Sequence, residues 1–341
     1  TDGTRFDCDL LINATGQLSR PVTPDLPGRA EFTGHSFHSA TWDHDYTLEG
    51  KRVAVIGNGA SAIQIVPAIA DRVQQLMVFQ RSASYLLPRR DRDIRAWEKK
   101  LYRAAPPIMQ LKRLATYLKY ESRALGFTRF KALMKFGVGW PFRHMLRTQV
   151  PDPALRARLM PDYPIGCKRI LLTDDFLPAM SKPNVRLVTQ GIRRLNAQGI
   201  ETIDGCVHTV DAIIYATGFA ATGFLSPMKV IGRNGLDLHE VWRDRAAAYL
   251  GITVPGFPNF FMLYGPNTNL GHNSIVYMLE SQIAHVMRIV RALRERNASR
   301  VEIDAVHFDA FNENIHRRLA RTVWNGCASW YLDANGNNTT N

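Results

Sequence analysis

The sequence predicts an α/β fold with a buried parallel sheet, on three observations. Residues 51–57, Lys-Arg-Val-Ala-Val-Ile-Gly, are apolar through their centre, as a strand covered on both faces requires. This run enters a glycine turn and then a helical pattern from Ala60 to about Asp71, with Ile63, Val66, Ile69 and Ala70 on one side. A second β-rich run follows at residues 75–80. Strand, turn, helix and strand in that order make a βαβ unit, whose handedness rule gives parallel strands.

The remaining elements extend this frame. Residues 6–16 read as a strand ending in Ala14-Thr15-Gly16, followed by a proline-rich connector over 20–28. Residues 94–160 change to helical periodicity, interrupted at Pro106-Pro107 and from Gly137 to Pro141, and read as a helical insertion. Strand-like runs resume at 185–188, 212–215 and 259–264, and long helices are expected over 275–296 and about 309–323. The stretches Asp9–Gly16 and Asp211–Gly218 share one pattern: Asp, four residues, Ala-Thr-Gly. In each, an apolar strand delivers a turn of small residues.

With 341 residues, 45% apolar and 21% charged, the chain has material for about two domains. No apolar run reaches the length of a membrane span. The four cysteines (Cys8, Cys167, Cys206, Cys327) show no Cys-x-x-Cys spacing. This predicts no zinc site and no disulfide framework, and fits a reducing, cytoplasmic setting. Neither end of the chain falls cleanly outside a structural element, so the chain is expected to be part of a longer one.

The net charge of +13 is concentrated in residues 89–169, with 20 Lys and Arg against 6 Asp and Glu. Three readings are open: nucleic acid, an anionic membrane surface, or a solvated insertion whose field favours an anionic cofactor. The segment lacks the spaced aromatics of a base-stacking platform, which predicts no nucleic-acid partner. Aromatic and basic residues mix at 115–120 and 127–142, so peripheral membrane contact stays open.

The chemistry begins at Gly57-Asn58-Gly59-Ala60-Ser61-Ala62. Gly57 allows a tight strand-to-helix reversal, Gly59 lets backbone approach a pyrophosphate, and Ala62 lets the helix pack closely on the strand. The start of the helix at Ser61 and Ala62 supplies N–H groups and positive potential to phosphates. The turn follows a buried strand and opens a helix, which is the context a Rossmann-like site needs. At the end of the next strand, where an NAD site carries a carboxylate for the ribose, the chain offers Gln80-Arg81-Ser82. A guanidinium there pairs with a 2′-phosphate, so NADP is expected over NAD.

Between the first Ala-Thr-Gly and the glycine turn lies Phe32-Thr33-Gly34-His35-Ser36-Phe37-His38-Ser39-Ala40-Thr41-Trp42-Asp43, read locally as a loop. Its F-x-G-x-x-x-H-x-x-x-W spacing followed by Asp resembles the fingerprint of the flavin-dependent Baeyer–Villiger monooxygenases, class B flavoproteins related to the N-oxygenating enzymes. Gly57–Ala62, Gln80-Arg81, Gly166-Cys167-Lys168-Arg169, Asp211–Gly218 and Gly265-Pro266-Asn267 follow in that family's order.

The resemblance implies two cofactors, NADPH and FAD. It also implies insertion of one oxygen atom of O2 beside a ketone carbonyl through a peroxyflavin, giving an ester or lactone. Arg169 matches the family's active-site arginine and Lys168 the partner of Arg81 at the 2′-phosphate. His38 and Trp42 match positions that couple cofactor placement to domain motion. Asn267, Asn269, His272 and Asn273 match a region that closes over the flavin. Without the resemblance, Lys168-Arg169 reads equally as a basic surface pair, and the Asn-rich turn as a helix cap.

The chain departs from the family in one respect. No G-x-G-x-x-G precedes the fingerprint, so the first half-site for FAD and an aspartate partner for Arg169 are not among these residues. The expected fold is therefore a flavoprotein with two Rossmann-like dinucleotide-binding domains, the FAD domain incomplete, with a helical insertion. Residues 1–50 would be the remainder of the FAD domain and the fingerprint linker. Residues 51–210 would be the NADP domain with its insertion at about 94–160, and 211–341 the return to the FAD domain. By itself the chain is expected to bind FAD weakly. The alternatives to ketone oxygenation are N- or S-oxygenation, or an inactive NADP-binding remnant.

Overall fold

A computed structural model describes all residues except Thr1, Lys131 and His272. The strands are β1 (Leu11–Asn13), β2 (His35–His38), β3 (Arg52–Ile56), β4 (Gln75–Phe79), β5 (Leu86–Leu87), β6 (Leu171–Leu172), β7 (Val185–Val188), β8 (Ile192–Asn196), β9 (Gly199–Thr202), β10 (Val207–Thr209), β11 (Ala212–Tyr215) and β12 (Phe260–Met262). The helices are α1 (Ala62–Ile69), α2 (Ala96–Ala104), α3 (Pro106–Glu121), α4 (Ala124–Thr128), α5 (Trp140–Gln149), α6 (Pro153–Arg158), α7 (Phe176–Met180), α8 (Leu238–Val241), α9 (Ile275–Glu295) and α10 (Ala305–Leu319). The chain divides into two compact units. One joins Thr1–Arg20, Trp97–Phe130 and Ala220–Asn341, and the other joins Pro21–Ala96 and Lys131–Phe219.

The second of these units is the dinucleotide-binding one. Among its described residues, a parallel sheet runs in the order β2-β11-β3-β4-β7. The apolar centre of β3 is explained by burial on both faces. Val53 and Val55 join α1, α5 and α7 in one core. Ala54 and Ile56 join residues of the antiparallel β8-β9-β10 meander in another. Asp211 fastens three strands at once. Its carboxylate accepts from the Arg52 backbone N–H at 2.8 Å and the Arg52 guanidinium at 2.6 Å, and its carbonyl accepts from the His35 N–H at 3.0 Å. The Arg52 hydrogen bond holds the Asp211 carboxyl below the usual carboxylate range.

The boundaries differ from the expected ones. The strand at 212–215 is not part of a return to the other domain, because it lies between β2 and β3 in this sheet. All four of its residues are buried, as a central parallel strand demands. The fingerprint is not a loop throughout, since His35–His38 is a strand at the sheet edge. The helical insertion is also split, with Trp97–Phe130 assigned to the other unit.

In that other unit β1 pairs in parallel with β12, Leu11 opposite Phe260, and β1 exposes Leu11 at 53% and Ile12 at 46%. Phe260 and Met262 of β12 join a core with Phe224, Leu238, Trp242, Val254 and Phe257. The Asp304 side chain accepts from the N–H groups of Val306 and His307 and so caps α10. The last residues are buried, and the N–H groups of Asn267 and Asn269 donate to Thr339 and Thr340 carbonyls at 2.8 Å each. The expectation of four reduced cysteines is not met. Cys8 and Cys206 are free, whereas Cys167 and Cys327 are not.

Candidate nucleotide-binding site

The glycine turn stands at the C-terminal end of β3, where open α/β sheets receive ligands. Gly57 has φ +110°, and a Cβ there would lie 2.4 Å from the Ala216 carbonyl oxygen, so the fold itself requires glycine. Gly59 is different. It is exposed, and a Cβ would meet nothing within 4 Å. The space beside it is open, which suits the approach of a phosphate group to backbone. Ser61 occupies the N-cap of α1 without a side-chain cap; the N–H groups of Ile63 and Gln64 donate to the Gly59 and Ser61 carbonyls at 3.1 Å each, so the N–H groups of Ser61 and Ala62 are the ones placed to meet an external acceptor. Ala62 is fully buried against the sheet, in keeping with close helix packing.

One connection was not anticipated from the sequence. The Asn58 side-chain amide donates to Gln80 Oε1 at 2.9 Å and to the Ser82 carbonyl at 2.8 Å. Gln80 is buried and passes the chain onward, donating to the Arg158 carbonyl at 2.8 Å. The glycine turn and the end of β4 are thereby one rigid corner. A polar pair, Asn58 and Gln80, at the ends of two buried apolar strands was the signal in the sequence.

Arg81 is exposed at this corner. Lys168 comes to the same place, its Nζ donating to Ser82 Oγ at 2.9 Å and lying 4.5 Å from the Tyr163 ring centre. Burial, then the nearby Arg81 charge, push the Lys168 ammonium below the usual lysine range, with Asp162 opposing. Among the described residues no carboxylate forms an ion pair with either cation, a charge arrangement that suits a dianion. Arg169, next in sequence, is exposed and has no hydrogen-bond or ion-pair partner among the described residues.

The fingerprint residues are mostly architectural. A Cβ on Gly34 would collide with the Phe32 ring at 2.4 Å and the Asp211 carbonyl at 2.7 Å. Trp42 packs edge-on to Phe37, ring centres 5.0 Å apart. Asp43 lies 2.9 Å from His35 Nε2, and His35 stacks on Tyr46 at 4.2 Å. His38 is 5% exposed at the end of β2, and its Nδ1 accepts from the Ala40 N–H at 3.0 Å. That acceptor role fixes the neutral Nε2–H tautomer. Burial lowers its pKa further, with the Gly218 backbone opposing.

Asn267 belongs to the other unit, with φ +58°. Its side-chain amide is committed to the tail, donating to the Asn338 and Asn341 carbonyls at 3.0 and 2.7 Å, while its Oδ1 is buried without a partner. Both polar side-chain atoms of the buried Gln17 are likewise unpartnered. His272 lies outside the described residues.

The model of the flavin-binding monooxygenase-like family matches residues 5–228. A Baeyer–Villiger monooxygenase of Pseudomonas aeruginosa is 44% identical over 341 residues, covering 99% of this chain. The chain spans 64% of the length of that relative. Among solved structures, an oxidised steroid monooxygenase bound to NADP has TM-score 0.83 and 32% identity, over 97% of this chain and 70% of that one. A complex of OTEMO with FAD and NADP has TM-score 0.82 and 27% identity, over 98% of this chain and 70% of that one. The two-domain flavoprotein architecture expected from the sequence is therefore found in solved relatives, and the chain belongs to the flavin-binding monooxygenase-like family.

Proposed function

We propose that the corner formed by Gly57–Ala62, Arg81 and Lys168 binds NADPH, and that the protein uses it with FAD and O2 to insert oxygen beside a ketone carbonyl. The observation that carries the cofactor reading is that Lys168 Nζ reaches Ser82, the residue after Arg81, which brings two cations to the place where the 2′-phosphate would lie. Gly59 and the uncapped start of α1 at Ser61 and Ala62 would take the pyrophosphate. FAD, when bound, supplies the reaction with dioxygen. In the other unit, Asn267 Oδ1, buried and without a partner among the described residues, would offer a hydrogen-bond acceptor to FAD.

Arg169 would stabilise negative charge developing on the substrate carbonyl oxygen, since a guanidinium stays protonated and this one has no hydrogen-bond or ion-pair partner among the described residues. His38 would act as a positioning residue, its neutral ring fixed by Ala40. The solved relatives bound to NADP, or to FAD and NADP, support the cofactor pair.

The test supplies the chain with FAD, NADPH and O2 and offers a cyclic ketone, a thioether and an amine in parallel. Lactone formation that Arg169→Ala abolishes, with NADPH affinity retained, supports the reading. Sulfoxide or N-oxide alone would move the assignment to heteroatom oxygenation. No product from any substrate, with NADPH and FAD both shown to bind by titration, would overturn the oxygenation reading and leave nucleotide binding alone.

A further inference from the structure

Helix α3 inverts the usual orientation of an amphipathic helix. Ile108, Leu111, Leu114, Ala115 and Leu118 fall along one side at spacings of three and four. A helix on a globular protein turns such a stripe inward. Here the polar side is the one held to the protein. Arg113 pairs with Glu280 of α9 and lies 5.4 Å from the Tyr277 ring centre. Tyr117 stacks on Tyr277 at 4.4 Å, and Asn273 donates to Glu121 at 2.8 Å. No residue of α3 is buried. The stripe faces solvent, with Ile108 exposed at 42%, Leu111 at 67%, Leu114 at 49% and Leu118 at 57%. In α2, Trp97 and Leu101 are exposed in the same way. The adjoining α4 behaves normally and buries Phe127 against the Trp324 ring.

The charge around this stripe is one-sided. Residues 96–123 contain Lys99, Lys100, Arg103, Lys112, Arg113, Lys119 and Arg123 against only Glu98 and Glu121. Seven cations against two carboxylates leave an excess of five positive charges in this segment. Lys112 and Lys119 follow Ile108 and Ala115 by one turn each, along an edge of the stripe.

We propose that the α2–α3 face seats in the headgroup region of an anionic phospholipid bilayer. The apolar side chains enter the acyl boundary, and Lys100, Lys112 and Lys119 meet lipid phosphates. A neutral protein partner would cover the stripe and leave the cations without counter-charge. A nucleic acid would use the cations and leave the stripe wet. An anionic lipid surface answers to both. The proposal uses no residue of the nucleotide site and stands independently of the oxygenation chemistry.

The test is cosedimentation of the full chain with phosphatidylcholine vesicles, with and without phosphatidylglycerol, at low and high sodium chloride. Wild-type protein is expected to bind the anionic vesicles and to bind neutral ones roughly tenfold less. Both L111S/L118S and K112E/K119E are expected to lose roughly tenfold in affinity, and added salt to weaken wild-type binding. These positions are exposed, so an unchanged thermal midpoint accompanies the loss. The proposal is overturned by an absence of binding to anionic vesicles, or by equal binding of wild type and both variants. It is overturned equally by a dimer that L111S/L118S converts to monomer and that does not bind vesicles, since the occupant is then a second copy.

Discussion

The Asn58 amide and the Gln80 side-chain oxygen, 2.9 Å apart, join the glycine turn to the strand end that carries Arg81. The proposed phosphate cradle and the proposed ribose-phosphate reader thus share one hydrogen-bonded corner. Asn58→Ala removes the donor from a buried oxygen, a loss worth about 1–3 kcal/mol. The expected outcome is a lower thermal midpoint together with weaker NADPH binding in equilibrium titration. Unchanged affinity in a destabilised variant would show that the corner matters for folding alone.

The two glycines separate fold from binding. Gly57→Ala forces a Cβ to 2.4 Å from a backbone oxygen at φ +110°, and is expected to cost about 1–3 kcal/mol of stability. Gly59→Val meets open space in the protein. It is expected to leave the thermal midpoint nearly unchanged while raising the NADPH dissociation constant by at least about tenfold. Isothermal titration alongside thermal unfolding reads both. Equal effects of the two substitutions on both quantities would refute the distinction.

Arg81 and Lys168 are expected to act on the 2′-phosphate only. Removing either, as Arg81→Ala or Lys168→Ala, costs about 1.5–3 kcal/mol of NADPH affinity, the range for a hydrogen bond to a charged group. NADH affinity should be nearly unaffected, so the preference between the two cofactors narrows by roughly tenfold or more.

The lowered Lys168 pKa gives this site a pH dependence. The ammonium loses its proton at a lower pH than an ordinary lysine, and the neutral amine no longer attracts the phosphate. NADPH affinity of the wild type should therefore fall on the alkaline side, beginning below the usual lysine range. Lys168→Arg, which stays charged, should flatten that decline. Fluorescence titrations across the alkaline range measure it.

Asp211 has its carboxyl pKa held below the ordinary 3.8, first by hydrogen bonding to Arg52. A depressed carboxylate stabilises the fold above its unfolded pKa, and that contribution is lost as pH falls through the folded value. Asp211→Asn should be less stable than wild type at neutral pH. The gap should close only in the acid range below 3.8, as read from urea midpoints at several pH values.

Local pattern was enough for β3, α1 and β4, because an apolar strand buried on both faces, a glycine turn and a helix of period 3.6 each declare themselves within a dozen residues. The same stretch named Gly57, Gly59, Ala62 and Arg81, whose proposed roles rest on positions along a single βαβ unit. What lay beyond the sequence depends on pairing between distant segments. His35–His38 became a strand only because β11 offered it an edge, and 212–215 joined this sheet because a fully buried strand fits its centre. Lys168 reaches Ser82 across 86 residues, a meeting that the crossover topology sets and that no local propensity encodes. The side of α3 that faces solvent was also decided in three dimensions. Its period fixes which residues share a face, and the contacts of Arg113, Tyr117 and Glu121 with α9 and the residues before it decide which face is left in water.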